Sequence, residues 1–128
     1  MRLLLDTHLL LWAAASPQRL SVRARDLLLD PGHELVFSVA SLWEVAIKRS
    51  LGRDDFTVDT QLLRRGLLHN GYAELPVLGP HALAVEQLPA LHKDPFDRIL
   101  LAQAQVEAMT LLTVDEAVWN YGAPALRV

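Results

Sequence analysis

Arg2-Leu3-Leu4-Leu5-Asp6-Thr7-His8 is the stretch from which the fold follows, and it stands at the start of the chain. Consecutive leucines run straight into a carboxylate. An unbroken apolar run is what a strand covered by helices on both faces shows, the usual condition in a parallel sheet. Open α/β sheets place their ligands at the carboxyl ends of the strands, so Asp6 falls where a site belongs. The pattern recurs. Leu111-Leu112-Thr113-Val114-Asp115 is a second apolar run ending in an aspartate, and Leu35-Val36-Phe37-Ser38 is a third ending in a hydroxyl. Two strands that each deliver an aspartate to the same edge predict a shared carboxylate pocket.

Between these strands the sequence reads as helices. Thr7 is placed to cap a helix through Leu9-Leu10-Leu11-Trp12-Ala13-Ala14, stopped by Ser16-Pro17. Ser21 caps Val22 to Leu29, and Asp30-Pro31-Gly32 ends that helix. Ser38 or Ser41 opens a helix through Leu42 to Leu51, closed by Gly52. Asp59 or Thr60 starts another through Leu68, followed by a short strand at Tyr72 to Leu75 and a helix around Pro80 to Gln87. Asp94 is a good N-cap with Pro95 at the first helical position and Asp97 at the third, so a helix runs from there to about Ala108. A short helix or turn at Glu116 to Tyr121 and a last strand at Ala125 to Val128 complete the chain. Alternation of strands and helices predicts an α/β sandwich of three layers, a central, mostly parallel sheet flanked by helices.

Bulk properties agree and exclude several classes. A length of 128 residues fits one domain, residues 1–128. Apolar residues make up 52%, more than a chain this small can bury, which points to a protein–protein interface. The absence of cysteine excludes disulfides and thiolate metal sites and is compatible with the cytoplasm. Asp6 and His8 interrupt the N-terminal apolar stretch, which argues against a signal peptide, and no run approaches the ~20 apolar residues of a membrane span. The net charge of −3 argues against strong nonspecific nucleic-acid binding, unless the acids gather around a divalent ion that cancels them.

Four acids stand out. Asp6 and Asp115 end strands, whereas Glu44 and Asp97 lie early in helices and share their helical stripes with apolar residues, Ala40 and Ile47 for Glu44, Leu100, Leu101 and Ala104 for Asp97. Each has a plain structural explanation: a strand-end turn, an i,i+4 pair with Lys48 worth about 0.3–0.5 kcal/mol, or a favourable charge on a helix N-terminus. Together they make a different case. Converging carboxylates raise one another's pKa unless a cation sits among them, and an oxygen-only ligand set favours Mg²⁺ or Mn²⁺ over zinc. Such an ion lowers the pKa of bound water, orients it for in-line attack and stabilises a phosphorane. Thr7, Ser38 and Thr113 adjoin the expected pocket and offer hydroxyls to the carboxylates. The five histidines are scattered without ligand spacing and receive no role.

Asp6-Thr7-His8 with Leu11-Trp12, Ser41-Leu42-Trp43-Glu44-Val45-Ala46-Ile47-Lys48, Asp94-Pro95-Phe96-Asp97-Arg98-Ile99-Leu100-Leu101-Ala102-Gln103-Ala104 and Thr113-Val114-Asp115 together resemble PIN-domain ribonucleases, in particular VapC-like toxins of type II toxin–antitoxin systems. The resemblance spans nearly the whole chain in order. It implies a Mg²⁺- or Mn²⁺-dependent endoribonuclease with Asp6, Glu44, Asp97 and Asp115 as its catalytic and metal-holding acids and Asp94 as a supporting one. It also implies a homodimer, inhibited by a cognate antitoxin that wraps it. Trp12 and Trp43 are candidate walls of the antitoxin groove. Lys48, Arg49, Arg53, Lys93 and Arg98 are the cations nearest the pocket in sequence and the candidates for RNA contact.

Two other readings use the same acids. An aspartate-nucleophile phosphotransfer protein would attack phosphate through Asp6, although haloacid-dehalogenase-like phosphatases want a second aspartate where His8 stands, and no receiver-type lysine can be placed. A catalytically inactive module would act only through its partner groove.

Overall fold

In the computed structural model, which describes residues 1–128, Leu3-Leu4-Leu5 forms the middle of the sheet. The strands are β1 (Arg2–Leu5), β2 (Glu34–Ser38), β3 (Ala73–Leu75), β4 (Thr110–Thr113) and β5 (Ala125–Arg127). Their order is β3-β2-β1-β4-β5, and every neighbouring pair is parallel. The expected sheet was mostly parallel; it is wholly so.

Period-two alternation of side chains explains why the apolar runs are continuous. Leu3, Leu5, Phe37 and Leu112 point to one face of the sheet, where they meet α1 (Thr7–Ala15), α2 (Val22–Leu29), Val45 of α3 (Val39–Ser50) and α4 (Thr60–His69). Leu4, Val36, Leu75 and Leu111 point to the other, against α6 (Pro95–Glu107) and Val118 of α7 (Glu116–Trp119), with α5 (Gly79–Ala84) at the edge of the cluster. All three leucines of β1 are fully buried, each contributing about 1.5–3 kcal/mol relative to exposure. A polar residue at any of them would be driven into one of two cores.

Chain direction reverses its progress across the sheet at β1. The crossovers from β1 go to β2 and β3 on one side, and the chain then returns to β4 and β5 on the other. The carboxyl ends of β1 and β4 therefore flank a topological switch point, where open α/β sheets form a crevice. Asp6 follows β1 and Asp115 lies two residues beyond β4.

Local differences from the sequence expectations have physical reasons. Asp6, not Thr7, caps α1: its Oδ1 accepts from Leu9 N at 2.8 Å, and Thr7 is already helical. A carboxylate is a strong acceptor for the free N–H groups of a first helical turn. Ser38, not Ser41, caps α3 by accepting from Ala40 N at 3.0 Å, so the helix begins directly after β2. The helix expected around Pro80 to Gln87 is α-helical only to Ala84 and tightens to a 3₁₀ turn over Val85–Gln87. Asp94 caps α6 as expected, accepting from Phe96 N and Asp97 N.

Candidate active site

Asp6 is 4% exposed, and three donors hold it. Leu9 N donates to Oδ1, while Thr113 Oγ1 at 2.5 Å and Val114 N at 3.1 Å both donate to Oδ2. Burial pushes the Asp6 carboxyl above its ordinary pKa, against the pull of these hydrogen bonds and of nearby His8. Thr113 Oγ1 also accepts from Asp115 N at 3.0 Å, so a single hydroxyl links the ends of β1 and β4. Asp115 itself is exposed and caps α7 through Ala117 N.

Glu44 comes from the middle of α3 and is 4% exposed. Lys48 donates to its Oε2 at 2.5 Å, but Oε1 is buried without any hydrogen-bond partner. An acceptor left in this way costs about 1–3 kcal/mol, more when charged. Trp43 packs edge-on against Phe96 with ring centroids 5.3 Å apart. These are the residues just before Glu44 and Asp97, and their contact ties α3 to the start of α6.

Asp97 reports most directly on its neighbours. Its carboxyl is pushed up to about 6, first by burial and then by the charges of Asp94, Glu44 and Asp115, while a hydrogen bond from His92 opposes the rise. His92 Nε2 lies 2.7 Å from Asp97 Oδ2. His92, Asp94 and Asp97 each offer a ligand atom, all within 4.8 Å of one another. The charges of Asp94, Glu44 and Asp115 thus all reach Asp97, whereas Asp6 is tied through Thr113 Oγ1 only to the backbone of Asp115.

Other residues singled out in the sequence have different surroundings. Of the three hydroxyls, only that of Thr113 touches an acid; Thr7 donates to Ser41 Oγ, and Ser38 serves as a cap. Lys48 is taken up by Glu44, its ammonium lying over the ring of Phe56 at 4.9 Å. Arg98 donates to the carbonyls of Val85, Pro89 and His92 and to Tyr121 Oη, which makes it a loop clamp. Arg49 and Arg53 pair loosely with Asp59 and Asp55 at 3.9 and 3.5 Å. Lys93 is exposed and makes no ion pair. His92 is the residue that sequence reasoning passed over. Its only signal was its position five residues before Asp97, across the turn that Asp94 caps.

Far from these acids lies an apolar groove of about 640 Å³ between α1, α2 and α4. Ala13, Ala14, Leu28, Leu62, Leu63 and Gly66 are among the residues that line it. Neither Trp12 nor Trp43 does so: Trp12 stacks under Arg19 at 4.6 Å, and Trp43 is exposed beside Phe96.

An all-parallel α/β sheet with Asp6 and Asp115 just past the carboxyl ends of β1 and β4 defines a domain with acidic residues at its switch point. The chain belongs to the PIN domain family, whose model matches residues 3–122. Its fold is similar to that of a chain in the VapBC2 complex of Rickettsia felis bound to a promoter DNA fragment (TM-score 0.71, 14% identity, 100% of this chain and 98% of that one). It is similar also to a chain of VapBC-1 from nontypeable Haemophilus influenzae (0.66, 18%, 100% and 97%) and of a toxin–antitoxin complex from Klebsiella pneumoniae (0.65, 18%, 96% and 94%). No curated protein matches the chain in sequence. No helix is long and apolar enough to cross a membrane.

Proposed function

We propose that the chain is a Mg²⁺- or Mn²⁺-dependent endoribonuclease, the cytoplasmic toxin of a toxin–antitoxin pair. The observation that carries this reading is the unsatisfied charge at the switch point: Glu44 Oε1 is buried without a partner, and Asp97 is pushed up to about 6 beside Glu44, Asp94 and Asp115. A divalent ion relieves both, and all-carboxylate ligation suits Mg²⁺ or Mn²⁺.

In this reading Asp97 and Glu44 hold the ion, with Asp6 and Asp115 completing the acidic quartet and Asp94 in support. When bound, the ion supplies an activated water and neutralises charge on the phosphodiester. The chain's own residues set the geometry. Thr113 fixes Asp6 and leaves Oδ1 a lone pair beyond the one used by Leu9 N. Lys48 balances one of the Glu44 oxygens. Lys93, Arg49 and Arg53 are the cations left for the RNA backbone, whereas Lys48 and Arg98 are engaged within the fold. The phosphotransfer alternative still lacks the second aspartate that a haloacid-dehalogenase-like site wants where His8 stands.

One of the similar structures is a toxin–antitoxin complex and two are VapBC assemblies, which supports a cognate antitoxin as partner. The groove between α1, α2 and α4 has the size and aliphatic lining to take an apolar helix face of such a protein. Exposed apolar side chains outside it, such as Trp43 and Leu83, support self-association as a homodimer.

Incubation of purified protein with RNA tests the enzyme. Cleavage that requires Mg²⁺ or Mn²⁺ and stops with EDTA is expected; cleavage that persists in EDTA contradicts the reading. Expression without a partner is expected to arrest growth. A folded wild type as harmless as Asp6→Ala contradicts the toxin role.

A further inference from the structure

α6 grips His92 at two points with consecutive residues. The carboxylate of Asp97 meets the imidazole at 2.7 Å, and Arg98 Nη1 donates to the His92 carbonyl at 3.3 Å. The same guanidinium donates to Pro89 O and to Val85 O, both at 3.0 Å, and so pins the loop that leads to His92. Tyr121 Oη, which accepts from Arg98 at 3.1 Å, donates to the same His92 carbonyl at 3.4 Å. The imidazole is mostly covered, its side chain 22% exposed. A surface ion pair has no need of a loop that Arg98 and Tyr121 hold as well.

We propose that His92 is a positioning residue for Asp97: presented by the Arg98–Tyr121 clamp, its Nε2–H occupies Oδ2 and leaves Oδ1 for the cation. This rests on the reading of Asp97 as a metal-holding carboxylate. Rotation about the side-chain bonds of a free aspartate would spread its oxygens over several orientations. A hydrogen bond from a fixed imidazole selects one before any ion arrives. Outer partners of this kind orient metal ligands, and their removal costs 10–100-fold in affinity or activity. The clamp also gives Arg98 a purpose: it acts on the site through His92.

Mn²⁺ binding to the full chain without RNA, followed by loss of the free-ion EPR signal, tests the proposal. His92→Ala is expected to weaken binding about tenfold or more, with the number of bound ions and the metal-free melting temperature unchanged. His92→Gln, whose amide N–H reaches the same oxygen, is expected to recover most of the affinity. Tyr121→Phe keeps the ring and loses the hydroxyl; a few-fold loss is expected, and this variant serves should His92→Ala fail to fold. Wild-type affinity in His92→Ala overturns the proposal. So does a drop in the number of ions bound, which would make the ring itself a ligand. If Asp97→Asn abolishes binding while His92→Ala does not weaken it, the positioning role fails and the nuclease reading stands. A wild type that binds no Mn²⁺ overturns both.

Discussion

The acidic crevice and the apolar groove sit at opposite ends of α1. Its first turn is capped by Asp6 in the crevice, and its last residues, Ala13 to Ala15, line the groove, a separation of about 14 Å along nine helical residues. Both regions are incomplete in the isolated chain, in different ways. The crevice carries carboxylates that are only partly matched: a Glu44 oxygen left over beside the Lys48 pair and an Asp97 carboxyl lifted by burial and its neighbours. The groove carries apolar surface without cover. An ion can relieve the first at a point, whereas only an extended partner can cover the second. If the crevice carries the chemistry and the groove the partner, the two can be broken separately.

The largest separation is expected from Asp97→Ala. Losing a metal-dependent site worth several kcal/mol lowers RNA cleavage on the order of 10³-fold, while binding of a protein partner at the groove persists. Measured rates and pull-down from the same preparation check this; parallel loss of both would merge the two regions into one.

Gly66→Arg makes the converse test. Gly66 lies in α4 on the groove wall, and a Cβ built there meets nothing within 4 Å, so a long side chain enters the groove without disturbing the core. Partner affinity is expected to fall at least about tenfold, roughly 1.4 kcal/mol, with metal-dependent cleavage intact. Cleavage lost along with binding would show the groove coupled to the crevice.

Stability against pH isolates the crevice. Asp97 rises from 3.8 to about 6 on folding, so between those values the folded state binds more protons than the unfolded one. Its contribution therefore destabilises progressively as pH rises through that window and levels off above it. At about 1.4 kcal/mol per unit, the span is on the order of 3 kcal/mol. Urea denaturation of wild type and Asp97→Asn, without metal, is expected to show this difference emerging between pH 4 and 6. Added Mn²⁺ at pH 7 should restore wild-type stability only. Superimposable pH profiles would mean that Asp97 is not strained.

Thr113→Val probes the link between the strand ends. It removes the donor to Asp6 and the acceptor for Asp115 N, at an expected cost of about 1–3 kcal/mol, and Thr113→Ser should regain much of it. The smallest effect is expected from Gly66→Ala, which raises stability by about 0.5–1 kcal/mol through helix propensity. A destabilised Gly66→Ala would mean that the groove is already closed over.

The sheet was legible because both of its faces are covered, so that Leu3 to Leu5, Val36 to Phe37 and Leu111 to Leu112 read as uninterrupted apolar runs. The positions of Asp6 and Asp115 followed from strand ends. What stayed hidden depends on how loops travel. Nothing local says that His92 folds back on Asp97, because Tyr121, well beyond α6 in the chain, helps Arg98 hold the loop there. Nearness in sequence to an acid also hid the cations' partners: Lys48 pairs with Glu44, and Arg98 donates to Val85, Pro89 and His92 carbonyls and to Tyr121. The excess of apolar residues foretold an uncovered surface but not its address. Tryptophans drew attention, while the groove is lined by small and aliphatic side chains of three helices, including the alanine run that ends α1.

Carboxylates from separate elements meeting around one divalent ion would leave a trace in a crystal. Anomalous diffraction from a crystal of the chain soaked in Mn²⁺ tests for it most directly. The account predicts a peak in the crevice bonded to oxygens of Asp97 and Glu44, with Glu44 Oε1 no longer unpartnered. A crystal with Mn²⁺ bound elsewhere, or with that oxygen still alone, would contradict it.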